Sequence, residues 1–389
     1  MFGKGLKLFS LFGFDVRVDA SWLLLAVLII LILSGGYFPV HYEDLSGTEY
    51  LVMGILGALG LFLSIILHEL SHSLVARRFG MPMKGITLFM FGGVAQMEDE
   101  ARTPKGEICM AIAGPIASFV LAGLFFALHI GARAADFPPA ITGVPGYLAW
   151  INVVLAFFNL LPAFPLDGGR ILRSALWAWK KNLRWATRIA SGIGSAFGVG
   201  LILIGILGML GGQFIGGLWW ALIGMFLRGI SQGSYRQIMI RETLSGEPVR
   251  RFMHENPVTV PPEITVDKLV QDYVYRYHFK MFPVVENGVL TGCVNTRDIK
   301  ETPRNEWETR TVSDLAHGCS DQNSVAPDAD AADALSTMHK TGNSRLVVEE
   351  NGRLVGVVTL KDMLRFLSLK LDLEGEEADA EKIRRTIAQ

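Results

Sequence analysis

Apolar residues dominate the first 235 positions in long runs, and the pattern then changes to short strands and helices with polar surfaces. Residues 20–36 carry no charge and are long enough for a bilayer crossing, which needs about 17–25 residues. No A-x-A-like cleavage site follows and more spans come after, so the run reads as a retained span rather than a leader. Further apolar stretches cover about 51–75, 108–130 and 146–161. Residues 189–227 hold no Asp, Glu, Lys or Arg, and that block is too long for one crossing. Gly211, Gly212 and Gln213 divide it into two, which brings the expected count to six spans. The segment Ile86–Met97 is rich in strand formers, too short to span and interrupted by Gly92-Gly93, so it reads as a membrane-associated β hairpin.

Beyond Arg241 two stretches resemble each other at a spacing of roughly 60–65 residues, the mark of an internal repeat. One runs from Pro283 through Asn287-Gly288 to Asp298, the other from Leu346 through Asn351-Gly352 to Asp362. Each reads as strand, tight Asn-Gly turn, strand and helix start, preceded by an amphipathic helix near 265–278 and 329–341.

Charge sharpens this division. The chain carries 36 basic and 37 acidic side chains, a net charge of −1, which gives no electrostatic ground for a nucleic-acid partner. Basic residues cluster at alternate span ends: Lys4, Lys7 and Arg17 before the first, Arg77 and Arg78 after the second, Arg173 to Arg188 after the fourth, and Arg228 to Arg241 after the sixth. The opposite loops are poor in Lys and Arg, so both termini and the second half are expected in the cytoplasm. Cys109, Cys293 and Cys319 are too scattered for a disulfide framework or a CxxC zinc site.

The chemistry centres on His68-Glu69-Leu70-Ser71-His72 inside the second span. Ionisable groups in a spanning helix are costly and therefore functional suspects. His68 and His72 lie one helical turn apart, a spacing that suits two ligands of one tetrahedral Zn²⁺, with Glu69 beside the metal-bound water. Two imidazoles and a water leave one protein ligand missing, and Asp167 is the best candidate. It ends the segment Asn159-Leu-Leu-Pro162-Ala-Phe-Pro165-Leu-Asp167-Gly168-Gly169, where two prolines break the fourth span. His68 lies about nine residues, roughly 13 Å, from the basic end of its span, and Asp167 falls near the same end of the fourth. Asn152, seven residues before Asn159 on the same helical face, is a candidate for positioning substrate or for an interhelical hydrogen bond. His41 and His129 sit towards the outer face and are not expected to bind metal.

The paired motifs, His68-Glu69-x-x-His72 and Asn159-x-x-Pro162-x-x-Pro165-Leu166-Asp167-Gly168, resemble those of the site-2 protease family of intramembrane zinc metalloproteases, over about residues 1–235. The resemblance implies that His68, His72 and Asp167 hold zinc and that Glu69 is the general acid/base. It also implies that Asn159 contacts the substrate backbone or the developing oxyanion. Gly114-Pro115 resembles a further family feature, with Ser118 where Asn usually stands. The implied substrates are single-span or membrane-tethered proteins. A helical substrate must unwind before cleavage, so the hairpin with Gly92 and Gly93 is expected to pair along one edge with the extended segment.

The repeated half resembles a tandem pair of CBS domains, which implies ATP or AMP as a regulatory ligand and a homodimer through the pair. Such pairs hold ribose hydroxyls with a Thr/Ser-x-x-Asp at the last strand–helix junction. Thr359 and Asp362 fit fully, whereas Asn295 stands before Asp298 in the first repeat. The expected architecture is a polytopic α-helical membrane domain (1–235) and a cytoplasmic α/β tandem CBS region (246–371, as 246–303 and 308–371). A linker (236–245) joins them and a charged tail (372–389) follows. The expected function is regulated intramembrane proteolysis at the cell membrane. A CBS-gated zinc or ion transporter using the same ligands as a transit site is the alternative; Glu69 and Asn159 are residues a transit site does not need.

Overall fold

A computed structural model of the chain describes residues 6–81, 83–90, 92–97, 101 and 103–373. Most of the tail expected over 372–389 lies outside the described residues. The chain divides into two compact units, one ending at Arg236 and the other starting at Gln237.

The first unit opens with strands β1 (Leu6–Leu11) and β2 (Phe14–Val18). Asp19 then caps α1 (Ala20–Ile32) by accepting a hydrogen bond from the Ser21 amide at 2.9 Å. A π-helical turn, Leu33–Tyr37, carries the helix on into α2 (Phe38–His41). A capping box between Ser46 and Glu49 starts α3 (Gly47–Arg78), which ends on Arg77 and Arg78. There follow β3 (Met83–Phe89), β4 (Gly92–Met97), α4 (Pro104–Ala134), α5 (Pro139–Asn159), α6 (Asp167–Lys180), α7 (Leu183–Leu210) and α8 (Phe214–Leu244). Among the described residues six helices are long and apolar enough to cross a membrane: Ala20–His41, Gly47–Arg78, Pro104–Ala134, Pro139–Asn159, Leu183–Leu210 and Phe214–Leu244. Leu24, Leu31, Leu59, Phe126 and Leu207 point outward from them, as side chains facing lipid do. Small residues let the last two spans touch: a Cβ on Gly198 would run into the Gly224 carbonyl, and one on Gly205 into that of Gly217.

Three details differ from the sequence-based expectation. The hairpin over 86–97 is half of a four-stranded sheet ordered β1-β2-β3-β4. In it β2 runs parallel to β3 and pairs Asp15 with Gly85 and Val18 with Leu88. The residues before the first span, read only for their charge, thus supply the other two strands. Asp167 does not continue the fourth span. A break over 160–166 separates it from α5, and it begins a helix of its own. Residues expected to form a linker, 236–244, are the last turns of α8.

One face of the sheet buries Phe14, Val16, Val18, Ile86 and Leu88 against Ile66 and Leu70 of α3. The sheet is thereby packed on the turn of helix that carries His68.

The second unit repeats one plan. β5 (His254–Glu255) leads to a helix built of α9 (Val266–Lys268), a π-helical stretch (Leu269–Val274) and α10 (Tyr275–Tyr277). The hairpin β6 (Met281–Glu286) and β7 (Val289–Asn295) follows, then α11 (Thr296–Glu301) and α12 (Val312–Leu315). The second copy has β8 (Ser324–Val325), α13 (Ala331–Thr341), β9 (Arg345–Glu350), β10 (Arg353–Thr359) and α14 (Leu360–Leu373). Both expected Asn-Gly turns form, with positive φ at Asn287 and Gly288 and at Asn351 and Gly352. Each copy has its own core, around Phe282, Val284 and Val294 in one and Leu346, Val348 and Val358 in the other.

Candidate metal centre

The sequence puts His68 and His72 on one face of α3 and Asp167 about a hundred positions later; the fold brings all three together. His68 Nε2 lies 3.1 Å from Asp167 Oδ2, His72 Nε2 lies 3.2 Å from the same oxygen, and the two Nε2 atoms are 3.2 Å apart. All three residues are buried. The loop that delivers Asp167 is gripped by backbone. Cβ atoms on Gly168 and Gly169 would strike the main chain of Leu160 to Phe164, and Ser231 of α8 donates its hydroxyl to the Phe164 carbonyl.

Each imidazole is held from behind. His72 Nδ1 is 2.7 Å from the Met110 carbonyl of α4, and His68 Nδ1 is 2.9 Å from Ser118 Oγ of the same helix. A carbonyl only accepts, so His72 donates from Nδ1 and its neutral ring turns a bare lone pair on Nε2 inward. Ser118, at the position where the resemblance led one to expect Asn, therefore orients a ring of the cluster.

Donors at the corners of a triangle with these sides lie about 1.9–2.0 Å from the centre of the matching tetrahedron, near the roughly 2.0–2.2 Å of zinc bonds to nitrogen and oxygen. Gly114 supplies an independent sign. A Cβ built there falls against both Nε2 atoms, closer than the 3.0 Å that real Cβ atoms respect, so any residue larger than glycine would press on the donors. Buried lone pairs aimed at one another repel unless a cation or proton lies among them. Zinc fits this donor set.

Glu69 is half-buried, and its carboxylate is within electrostatic reach of His68, His72, Asp167 and Arg170. Asn159 ends α5 with its amide donated to the Leu155 carbonyl at 3.0 Å, so this structure does not bring it onto the cluster. Asn152 is fully buried and links two spans: its Nδ2 donates to Ser64 Oγ of α3 at 3.0 Å, one turn before His68, and to the Leu148 carbonyl at 2.8 Å. Gly92 and Gly93 start β4, paired with Phe89 and Leu88, and β4 is the outermost strand of its sheet. His41 donates from Nδ1 to the Tyr37 carbonyl at 2.8 Å, and His129 donates from Nδ1 to the Thr142 carbonyl at 2.7 Å, both apart from the cluster.

In the second unit Thr359 Oγ1 donates to Asp362, whose Oδ2 is also 3.0 Å from His254 Nε2. In the first repeat Asp298 accepts from the Asn295 amide at 2.8 Å and stands 3.1 Å from His317 Nε2. The Asp298 carboxylate thus caps its helix, whereas at α14 the Thr359 hydroxyl receives the Asp362 amide; each carboxylate also contacts a histidine.

Helices of membrane-crossing length and a buried cluster of two imidazoles and a carboxylate, with Glu69 beside it in sequence, fit a metalloprotease of the membrane. Comparison with known proteins agrees. The profile of Peptidase family M50 matches residues 56–142 and 140–204, and that of the CBS domain matches 249–304 and 312–369. A protein of Synechocystis sp. named as a zinc metalloprotease is 34% identical over 367 residues, covering 94% of this chain and 96% of the relative. A zinc metalloprotease of Methanocaldococcus jannaschii is 31% identical over 386 residues, covering 96% and 99%. The solved site-2 protease of the same archaeon aligns with a TM-score of 0.41 at 29% identity over 59% of this chain and 94% of its own. The chain belongs to peptidase family M50, with a CBS pair as its second unit.

Proposed function

We propose that the protein is a zinc-dependent intramembrane endopeptidase that cleaves transmembrane segments of membrane-anchored proteins under the control of adenine nucleotide. The observation that carries this reading is the convergence of His68, His72 and Asp167 at 3.1–3.2 Å within a bundle of spans. His68 Nε2, His72 Nε2 and the Asp167 carboxylate would hold the metal. Zinc, when bound, supplies the Lewis acidity that activates water near neutral pH and polarises a carbonyl. Glu69 accepts the proton of the attacking water and delivers it to the leaving amide nitrogen. Asn159, released from Leu155, turns its amide to the substrate backbone or developing oxyanion. Asn152 serves through its link to Ser64, which holds α5 against α3 at the depth of the cluster.

The outer edge of β4, beginning at Gly92 and Gly93, pairs with the unwound substrate. Basic residues at alternate span ends support a cytoplasmic position for both termini and the CBS pair, with the bundle in the cell membrane. ATP or AMP binds where Thr359 and Asp362 stand, with Asp298 as the weaker counterpart, and the CBS pairs of two chains associate as a homodimer. Glu69→Gln is the test. The amide cannot take the proton, so the variant should bind zinc as the parent does and lose cleavage of a single-span substrate in proteoliposomes. Full activity in that variant would remove Glu69 from the role.

A further inference from the structure

Helix α4 contributes no ligand, yet it touches both ligand-bearing helices, α3 and α6. On α4, Ser118 meets the His68 ring, Gly114 borders both Nε2 atoms, and Met110 accepts from His72. One turn earlier Glu107, fully buried, receives Arg173 and Ser174 of α6. Arg173 Nε donates to Glu107 Oε1 at 2.8 Å and its Nη2 reaches the same oxygen, while the Ser174 hydroxyl donates to Oε2. The Arg173 guanidinium also lies 5.0 Å from the ring centre of Phe164, in the loop just before Asp167. Positions 107, 110, 114 and 118 are three, four and four residues apart, so they form one face of the helix.

We propose that Glu107 is a positioning residue of the metal centre: by clamping Arg173 and Ser174 it fixes α6, and so sets where Asp167 stands relative to the two imidazoles. The inference rests on the reading of His68, His72 and Asp167 as the ligand set. Its physical ground is that α5 and α6 are joined by a break, so Asp167 is not carried by a spanning helix. Contacts to α6 must place it, and those of Arg173 and Ser174 lead to Glu107. An ion pair shut away from water is costly to keep in a membrane protein unless its geometry is used. Here the same helix face that orients both rings also orients the third ligand, which ties the triangle to one rigid element.

The test is zinc affinity of the full-length protein in detergent, measured by competition with a chromogenic chelator, beside the melting temperature of the zinc-free protein. Glu107→Gln should weaken zinc by about 10–100-fold, the range seen when the support around a metal site is lost. The double variant Glu107→Met with Arg173→Met removes both charges and so avoids a stranded ion. It should melt near the parent yet still bind zinc about 10–100-fold more weakly. If that double variant, folded, binds zinc as the parent does, the pair serves folding alone and the proposal falls. It decides the matter even where Glu107→Gln fails to fold. Asp167→Asn separates the two readings. Unchanged affinity in Asp167→Asn would overturn the ligand set itself, whereas loss there with none in the Glu107 variants overturns only the positioning role.

Discussion

Gly114→Ala adds one methyl group, and the structure says where it lands. The new carbon would lie nearer to the Nε2 atoms of His68 and His72 than the 3.0 Å that real Cβ atoms respect. Nothing flexible stands in the way to yield, because the rings are held from behind by the Met110 carbonyl at 2.7 Å and Ser118 Oγ at 2.9 Å. Ring withdrawal by roughly 0.5–1 Å would be needed, against a tolerance of about 0.2 Å for metal–ligand distances. A displacement of about 1 Å at a catalytic centre costs on the order of 100-fold, and 100-fold in affinity is about 2.7 kcal/mol. Helix propensity works the other way, since Ala is favoured over Gly by about 1 kcal/mol within a helix. The expected result is a divergence. The zinc-free variant melts only modestly below the parent, since overpacking of about 1–3 kcal/mol is partly offset by the helix gain, while zinc affinity and cleavage of a single-span reporter fall by on the order of 100-fold. Chelator competition and the reporter assay read the two quantities separately. An alanine variant that binds zinc and cleaves as the parent does would refute the assignment of this space to the metal.

Stripping the protein with a chelator should abolish cleavage, and stoichiometric zinc should restore it; activity that survives complete removal would contradict a metal-dependent step. ATP or AMP at about 100 times its dissociation constant should stabilise the CBS pair by about 2.7 kcal/mol, seen as a rise in its melting temperature. Asp362→Ala should remove most of that rise and Asp298→Ala little, since only Thr359 supplies a hydroxyl partner. Burial foremost, with the Asp298 carboxylate, pushes the Cys293 thiol up to about 11, and burial with Glu349 does the same to Cys319. Thiolate at neutral pH is then on the order of 100-fold scarcer than for a free cysteine, so iodoacetamide labelling of both should be slow at pH 7.5 and climb as pH rises past 9. Fast labelling at neutral pH, read by peptide mass, would contradict that environment. Asn152→Leu should cost about 1 kcal/mol or less of stability and leave zinc affinity unchanged; a raised KM at unchanged stability would give Asn152 a role in holding substrate instead.

Much of this centre is legible because lipid leaves few reasons for a charge. His68, Glu69 and His72 stand out in an apolar helix, and their spacing states the chemistry. Pro162 and Pro165 announce a break, and the break is there, but a proline says only that a helix stops. That a new helix starts at Asp167 depends on Gly168 and Gly169 nesting against the Leu160–Phe164 backbone, a contact no local pattern encodes. The Asn-Gly turns of the second unit are legible for the opposite reason. They need positive φ at adjacent residues, and the sequence supplies the residues that tolerate it. Strand β1 is hard to read because it exposes Leu6, Leu8 and Phe9 and so lacks the alternation that marks a half-buried strand in water, and β2, which does alternate, is only five residues long.

The polar residues of α4 were harder still to read, and the reason bears on how such a centre is built. Glu107 sits at the start of a span, where an acidic residue ordinarily means solvent or a favourable helix dipole. Ser118 is small enough to pass as packing. Neither has a partner nearby in sequence: the contacts run 66 residues to Arg173 and 50 to His68. In a lipid-facing bundle a polar side chain that its own helix leaves unpaired finds its partner across helices. The outer contacts of an intramembrane metal site are therefore long-range by construction, while the ligands on one helix are short-range. A sequence motif reports the second kind alone, and the first appears only once the helices are packed.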